Sequence, residues 1–217
     1  MLERSELAVI IPAFNESATI TQVVTSILTY GQAIVVDDCS TDNTATLAKA
    51  AGAIVVNHSK NLGYDTALNS GFAKASHCGY SYAVTFDADG QHNHTLVKQY
   101  LSYLQKDHDL VLGIRPHYAR IAELLFAVYT RKRFGWHDPL CGMKGYRMSL
   151  YKERGWFDSY KSIGTELAFY GILKNKKFIQ IPISIVERKG IPKFGQRWIA
   201  NYKIFRAMLL SFIKRSN

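Results

Sequence analysis

The sequence predicts an α/β fold, a mostly parallel, Rossmann-like sheet flanked by helices in a single domain. Three observations predict it. Short, β-rich apolar runs alternate with segments of helical periodicity through the first half of the chain. Acidic residues directly follow three of those runs, at the carboxyl ends where open α/β sheets bind their ligands. No internal repeat, low-complexity tract or Pro/Gly-rich linker interrupts the 217 residues, a length suited to one substantial domain.

The elements follow in order. Residues 7–11 form a short apolar strand stopped by Pro12. Residues 17–30 read as a helix with Ile20, Val23, Val24 and Ile27 on one face. Residues 33–36 are a second strand, and 41–51 a helix closed by Gly52. A third strand at 53–56 and a third helix at 64–76 precede the strand 82–86, which ends at Asp87. Residues 94–105 are helical and 110–113 extended. Strands separated by helices in this rhythm pair in parallel through crossovers. The second half is less regular: a helix at 121–134, a loop or short strand at 141–146, a helix at 162–173, an extended run at 178–186 and a helical tail at 196–213.

Composition narrows the class. Hydrophobic residues make up 47% and charged residues 20%, as in soluble globular proteins, but the net charge is +10. From Arg188 to Asn217 there are eight basic residues and no acid, so much of the excess lies in one segment. Such a segment suits an anionic partner: nucleic acid, anionic lipid or an anionic substrate. The three cysteines lack CxxC spacing, which argues for reduced thiols rather than zinc or a disulfide framework. No leader pattern and no apolar run of spanning length is visible, so the expected location is cytoplasmic, with peripheral attachment to the cytoplasmic face of a membrane.

Three loops carry the chemistry. Pro12-Ala13-Phe14-Asn15-Glu16 follows the first strand. It reads either as a strand-to-helix turn, with Asn15 or Ser17 as a cap, or as a floor for a planar base and ribose with Glu16 near phosphates or hydroxyls. Val36-Asp37-Asp38-Cys39-Ser40-Thr41-Asp42 follows the second. Thr41 or Ser40 can cap a helix with Asp42 in its first turn, which leaves one of the adjacent acids for a ligand; alternation along the strand favours Asp38. Asp87-Ala88-Asp89 follows the fourth strand and suits a hard divalent cation that also holds substrate phosphates. Neither GxGxxG nor GxxxxGK[ST] occurs, so phosphates would be met by metal and basic side chains, with Arg115, Arg188 and Lys193 available.

Together with Asn61-Leu62-Gly63, Asp87-Ala88-Asp89-Gly90-Gln91-His92, Asp138-Pro139-Leu140-Cys141-Gly142 and Arg188-Lys189-Gly190-Ile191-Pro192-Lys193, these loops give a set whose order and spacing resemble family 2 glycosyltransferases of the GT-A fold. Within that family the chain resembles the dolichol- or polyprenyl-phosphate mannosyl- and glucosyltransferases, over about residues 7–196. The resemblance implies a nucleotide held by Pro12, Phe14, Glu16, Val36 and Asp38. It implies Mg2+ or Mn2+ on the diphosphate, bracketed by Asp87 and Asp89, with Gln91 as a further ligand and with Asp87 and Ala88 also among the substrate-binding residues. Arg115, Arg188 and Lys193 would meet phosphates of donor or acceptor. Residues 1–195 would be the transferase domain and 196–217 a basic amphipathic helix. The chain departs from the group at Tyr64-Asp65, after Gly63, and at Met143-Lys144, after Gly142.

The expected reaction is a single displacement with inversion, moving a hexose from a donor of the GDP-mannose or UDP-glucose type to polyprenyl or dolichyl phosphate. Asp89 and Arg115 are the expected catalytic residues, and Arg115, Arg188 and Lys193 would orient and screen the lipid phosphate. A lipid phosphate is already anionic and needs no base. A glycan or lipopolysaccharide hydroxyl would need one, and Glu166, at a predicted helix start, is the candidate; the alternative for Glu166 is a helix-terminus acid. His92 and His94 read as structural, and His137 as an orienter of Asp138. In the tail, Trp198, Tyr202, Phe205, Leu209 and Phe212 recur at helical spacing among basic residues, which fits either an anionic membrane surface or core packing. Acids after three strands argue against nucleic acid as the partner. The sequence leaves the oligomeric state open.

Overall fold

The structure, a computed structural model, describes residues 6–184 and 197–213. Its elements are β1 (Leu7–Ala13), α1 (Ile20–Ile27), β2 (Gln32–Asp37), α2 (Thr44–Ala50), β3 (Ile54–Asn57), α3 (Tyr64–His77), β4 (Tyr82–Thr85), α4 (Leu96–Gln105), β5 (Leu110–Ile114), α5 (Ile121–Phe134), β6 (Lys144–Arg147), α6 (Met148–Arg154), α7 (Glu166–Leu173), β7 (Phe178–Pro182) and α8 (Arg197–Ile213). The strands form one sheet in the order β3-β2-β1-β4-β6-β5-β7. All pairings are parallel except those of β6, which runs against both β4 and β5.

Both faces of the sheet are covered, and β1 shows why. Leu7, Val9, Ile11 and Ala13 enter one apolar core, while Ala8 and Ile10 enter the other. Successive side chains of a strand point to opposite faces, so a continuous apolar run belongs to a strand buried on both sides. Helix α3 lies close against β1. A methyl group added at Gly71 would collide with Cγ2 of Ile10, so glycine at that turn sets the helix-to-sheet spacing.

The structure departs from the sequence expectations at several boundaries. Helix α1 starts at Ile20 rather than residue 17, because the carbonyl of Glu16 accepts the Thr19 and Ile20 amides and 14–19 becomes a structured loop. Helix α2 starts at Thr44, not 41. The 141–146 segment yields the strand β6, and α6 follows it; a helix of seven residues is too short to show periodicity.

Candidate active site

The parallel strands end together, and the loops beyond β1, β2 and β4 are bound into one edge. The Asn15 amide donates to Ser40 Oγ (2.9 Å) and the Glu16 amide to Thr44 Oγ1 (2.8 Å). The Thr41 amide donates to Asn15 Oδ1 (2.8 Å), and Asn15 adopts φ +53°, within the region that asparagine tolerates. Asp42 accepts the Ser17 and Thr44 amides and the Thr44 hydroxyl. Burial opposes its ionisation, but the hydrogen bonds from Thr44 and Ser17 hold its carboxyl down at about 2. Asn15, Ser17, Ser40 and Thr41 therefore do not cap α1 or α2; they join one loop to the next. Thr19 Oγ1 donates to the Ala88 carbonyl (2.7 Å), which ties the first loop to the Asp87-Ala88-Asp89 turn.

Asp87 sits in a narrow slot. Its Oδ2 lies 2.9 Å from Nε2 of buried His92, whose ring stacks edge-on against Phe86. The other wall is Gly142: a Cβ there would lie 2.5 Å from Asp87 Oδ2. Burial works against ionisation of Asp87, but the His92 hydrogen bond and the positive charges of His92, Lys144 and Arg115 keep its pKa below the ordinary value. Lys144 is buried on β6 and donates from Nζ to the Cys141 carbonyl (2.5 Å); burial lowers its pKa. Asp89 Oδ1 accepts the Gln91 amide (3.1 Å), and Asp87, Asp89 and Gln91 are all partly exposed. Among the described residues no three acidic, histidine or cysteine side chains gather into a closed cage. An open pair of carboxylates suits Mg2+ or Mn2+ whose remaining ligands are diphosphate oxygens.

Other expected site residues sit differently. Pro12 and Glu16 are half-buried at the edge, and Phe14 presents its ring to solvent. Val36 is wholly buried in the sheet beside Gly71, so its side chain serves the core. Ala88 is buried too, and offers the carbonyl that Thr19 takes. Asp38 is buried. Its oxygens accept the amides of Leu62 (2.8 Å) and Gly63 (2.7 Å) and face Nδ1 of His58 (2.7 Å), so it builds the Asn61-Leu62-Gly63 turn. Asp37 Oδ2 takes the Ser40 amide, and among the described residues its buried Oδ1 has no partner. The chain leaves β2 between the two acids, since the strand ends at Asp37.

Arg115 is committed as well. It makes a two-pronged bond to Asp138, with Nε–Oδ2 and Nη2–Oδ1 both at 2.8 Å, and lies 3.2 Å from Glu123. Burial opposes the charge, but these partners raise its pKa further above the guanidinium range. With two buried acids on it, Arg115 is no free cation for a phosphate. Asp138 is oriented by Arg115; the His137 amide and ring turn instead to Gln180 Oε1.

Glu166 is not placed to act as a base. It is 4% exposed. Its Oε1 accepts from Arg154, Trp156 Nε1 and Ser159 Oγ, and its Oε2 accepts the Ser159 amide (2.5 Å). A base needs a free lone pair within reach of the acceptor, and these bonds occupy the carboxylate with scaffold donors. Arg188 and Lys193 lie outside the described residues.

Sequence reading missed His58 and Asn69, and gave no role of their own to Gly142 and Lys144. Asn69 on α3 accepts the Phe157 and Asp158 amides and donates to the Asp158 carbonyl, fastening the 157–158 segment. A lone Asn inside a helix carries no signal in sequence. Lys144 stood beside a motif residue, Gly142, and that position was the available clue.

Relatives agree with this architecture. The chain is 35% identical to an uncharacterized protein of Methanocaldococcus jannaschii, over 98% of this chain and 94% of that one. It is 27% identical to the UDP-N-acetylglucosamine–dolichyl-phosphate N-acetylglucosaminyltransferase of Methanococcus voltae, over 93% and 94%. Among solved structures, glucosyl-3-phosphoglycerate synthase from Mycobacterium tuberculosis, in complex with Mn2+, UDP and phosphoglyceric acid, superposes with a TM-score of 0.76 at 20% identity, covering 96% of this chain and 78% of that one. Residues 8–155 match the model for glycosyl transferase family 2. A sheet with acids along its carboxyl edge, matched over that span and across the relatives' length, makes this chain a glycosyltransferase of family 2 with the GT-A fold, resembling the polyprenyl-phosphate group.

Proposed function

We propose that this glycosyltransferase moves a hexose from a nucleotide-diphosphate sugar to a polyprenyl or dolichyl phosphate by direct displacement with inversion. One observation carries the choice of acceptor. The carboxylate that a hydroxyl acceptor would require, Glu166, is consumed by Arg154, Trp156 and Ser159. An acceptor phosphate, anionic at neutral pH, attacks without a base. The relative from Methanococcus voltae, whose name includes dolichyl phosphate, supports the same choice.

In this reading Pro12, Phe14 and Glu16 form the floor for the nucleotide, and Asp38 acts on it through the 61–63 turn. A divalent cation on Asp87 and Asp89, with Gln91 beside them, would neutralise charge developing on the departing nucleoside diphosphate. Lys144 and His92 hold Asp87 ionised and aimed. Because Arg115 is neutralised by Asp138 and Glu123, Arg188 and Lys193 are the cations assigned to the acceptor phosphate. The setting is peripheral, on the cytoplasmic face of a membrane that retains the acceptor.

The test is a panel of nucleotide sugars screened for metal-dependent thermal stabilisation, followed by transfer to polyprenyl phosphate. Stabilisation by one donor only with Mg2+ or Mn2+, its loss in Asp87→Asn and Asp89→Asn, and formation of a sugar-phosphate lipid are expected. Transfer to a glycan hydroxyl with none to polyprenyl phosphate would overturn the reading.

A further inference from the structure

Two packed helices, α5 and α8, leave apolar faces uncovered. On α5, Ile121 is 69%, Leu124 45% and Leu125 46% exposed. At 3.6 residues per turn these three share one stripe, which continues into exposed Lys132. On α8 the pattern is inverted relative to a core helix. Ala200, Ile204 and Ala207 are buried, while Tyr202 (68%), Phe205 (38%) and Leu209 (56%) face outward. Adjacent exposed apolar faces of this kind mark an interaction surface rather than scattered surface residues.

Charge identifies the partner. The one acid of α5, Glu123, is buried and paired with Arg115 and Arg120, and α8 contains no acid from Arg197 to Ile213. Arg131, Lys132 and Arg133 are exposed at the end of α5, and Lys203 on α8. An apolar face bordered by cations and free of exposed acid complements an anionic bilayer. A second copy of the chain would bring these cations against themselves across a twofold axis. Helix α5 also begins near the carboxyl edge of the sheet: it follows β5, and Glu123 in its first turn holds Arg115, the residue just beyond that strand.

We propose that the outer faces of α5 and α8 form one lipid-facing surface that seats the enzyme on an anionic membrane, with the carboxyl edge of the sheet at headgroup level. The acceptor phosphate is then met while its hydrocarbon chain stays in the bilayer. This rests on the lipid-phosphate reading of the acceptor. The predicted terminal helix accounts for half of the surface; α5, near the carboxyl edge, supplies the other half.

The experiment is co-sedimentation with phosphatidylcholine vesicles, with and without phosphatidylglycerol. It compares wild type, Leu124→Ser/Leu125→Ser and Tyr202→Ser/Leu209→Ser, with thermal unfolding and sedimentation velocity on each. Wild type is expected to bind only the anionic vesicles. Each double variant should unfold as wild type does but bind at least tenfold more weakly. It should lose transfer to a long-chain acceptor in vesicles and keep transfer to a short, water-soluble polyprenyl phosphate. A Lys132→Glu/Lys203→Glu variant, whose charges lie at the border, should weaken binding by about fivefold or more for each residue. Unchanged vesicle binding in the variants overturns the proposal, as does loss of a dimer with vesicle binding intact. Vesicle binding that depends on these residues, with no transfer to any polyprenyl phosphate, upholds the surface and overturns the acceptor reading instead.

Discussion

The carboxylate of Asp87 occupies the space that a side chain at Gly142 would fill. A Cβ on Gly142 would lie 2.5 Å from Asp87 Oδ2 and 3.0 Å from Oδ1. The two residues are far apart in sequence and meet because β6 runs antiparallel beside β4. Gly142→Ala should therefore push Asp87 out of line with Asp89. A displacement of about 1 Å at a reacting centre costs on the order of 100-fold in rate. Overpacking at such a contact destabilises by about 1–3 kcal/mol. The expected result is a large loss of transfer and of metal-dependent nucleotide stabilisation with a modest fall in unfolding midpoint, read by activity and thermal shift on one preparation.

Glu166→Gln separates scaffold from catalysis. The substitution leaves half-buried Arg154 without its counter-charge, a loss of up to about 3 kcal/mol. It should lower the unfolding midpoint while transfer per folded molecule, measured well below that midpoint, stays close to wild type. A loss of transfer as deep as that of Asp89→Asn would show that Glu166 takes part in the chemistry.

Asp138→Asn tests the Arg115 clamp. Asp138 is 1% exposed and both its oxygens are engaged by Arg115. Removing its charge should cost on the order of 3 kcal/mol in urea unfolding. In a double-mutant cycle, Arg115→Gln should cost less on top of Asp138→Asn than it does alone, because the two changes share the Arg115–Asp138 pair and only the Glu123 contact remains to be lost.

Asp65 predicts a pH dependence. Burial and the neighbouring charge of Asp158 raise its pKa from 3.8 to about 6, although its Oδ1 accepts the Gly164 amide at 2.7 Å. Between those values the folded chain keeps a proton that the unfolded chain has released. The Asp65 contribution to stability therefore falls as pH rises from about 4 to about 6, and is level above that, with a span of at most about 3 kcal/mol. Asp65→Asn should remove this slope, so that its stability relative to wild type is greater at pH 7.5 than at pH 4. Urea midpoints at the two values check it.

Most of the parallel sheet was legible because a strand buried on both faces must be apolar throughout, as 7–11, 33–36 and 110–113 are. The Asp87-Ala88-Asp89 turn was legible because paired carboxylates at a strand end have few structural uses. Helix boundaries were harder. Asn15, Ser17, Ser40 and Thr41 look like helix caps, yet their hydrogen bonds run between loops 25 or so residues apart. The aromatic spacing of the tail was read as either core or membrane; among the described residues Ala200, Ile204 and Ala207 turn inward and Tyr202, Phe205 and Leu209 outward, while the side chains of Trp198 and Phe212 lie outside them.

Local pattern was therefore enough to specify the fold class and the family, since apolar periodicity and motif spacing are properties of neighbouring residues. Whether a charged residue is free to act depends on partners brought from elsewhere in the chain. Arg115 and Glu166 resemble catalytic groups in sequence. Asp138 and Glu123 neutralise the first, and Arg154, Trp156 and Ser159 occupy the second. A charge withdrawn from water persists only when it is matched, and that match is made by packing.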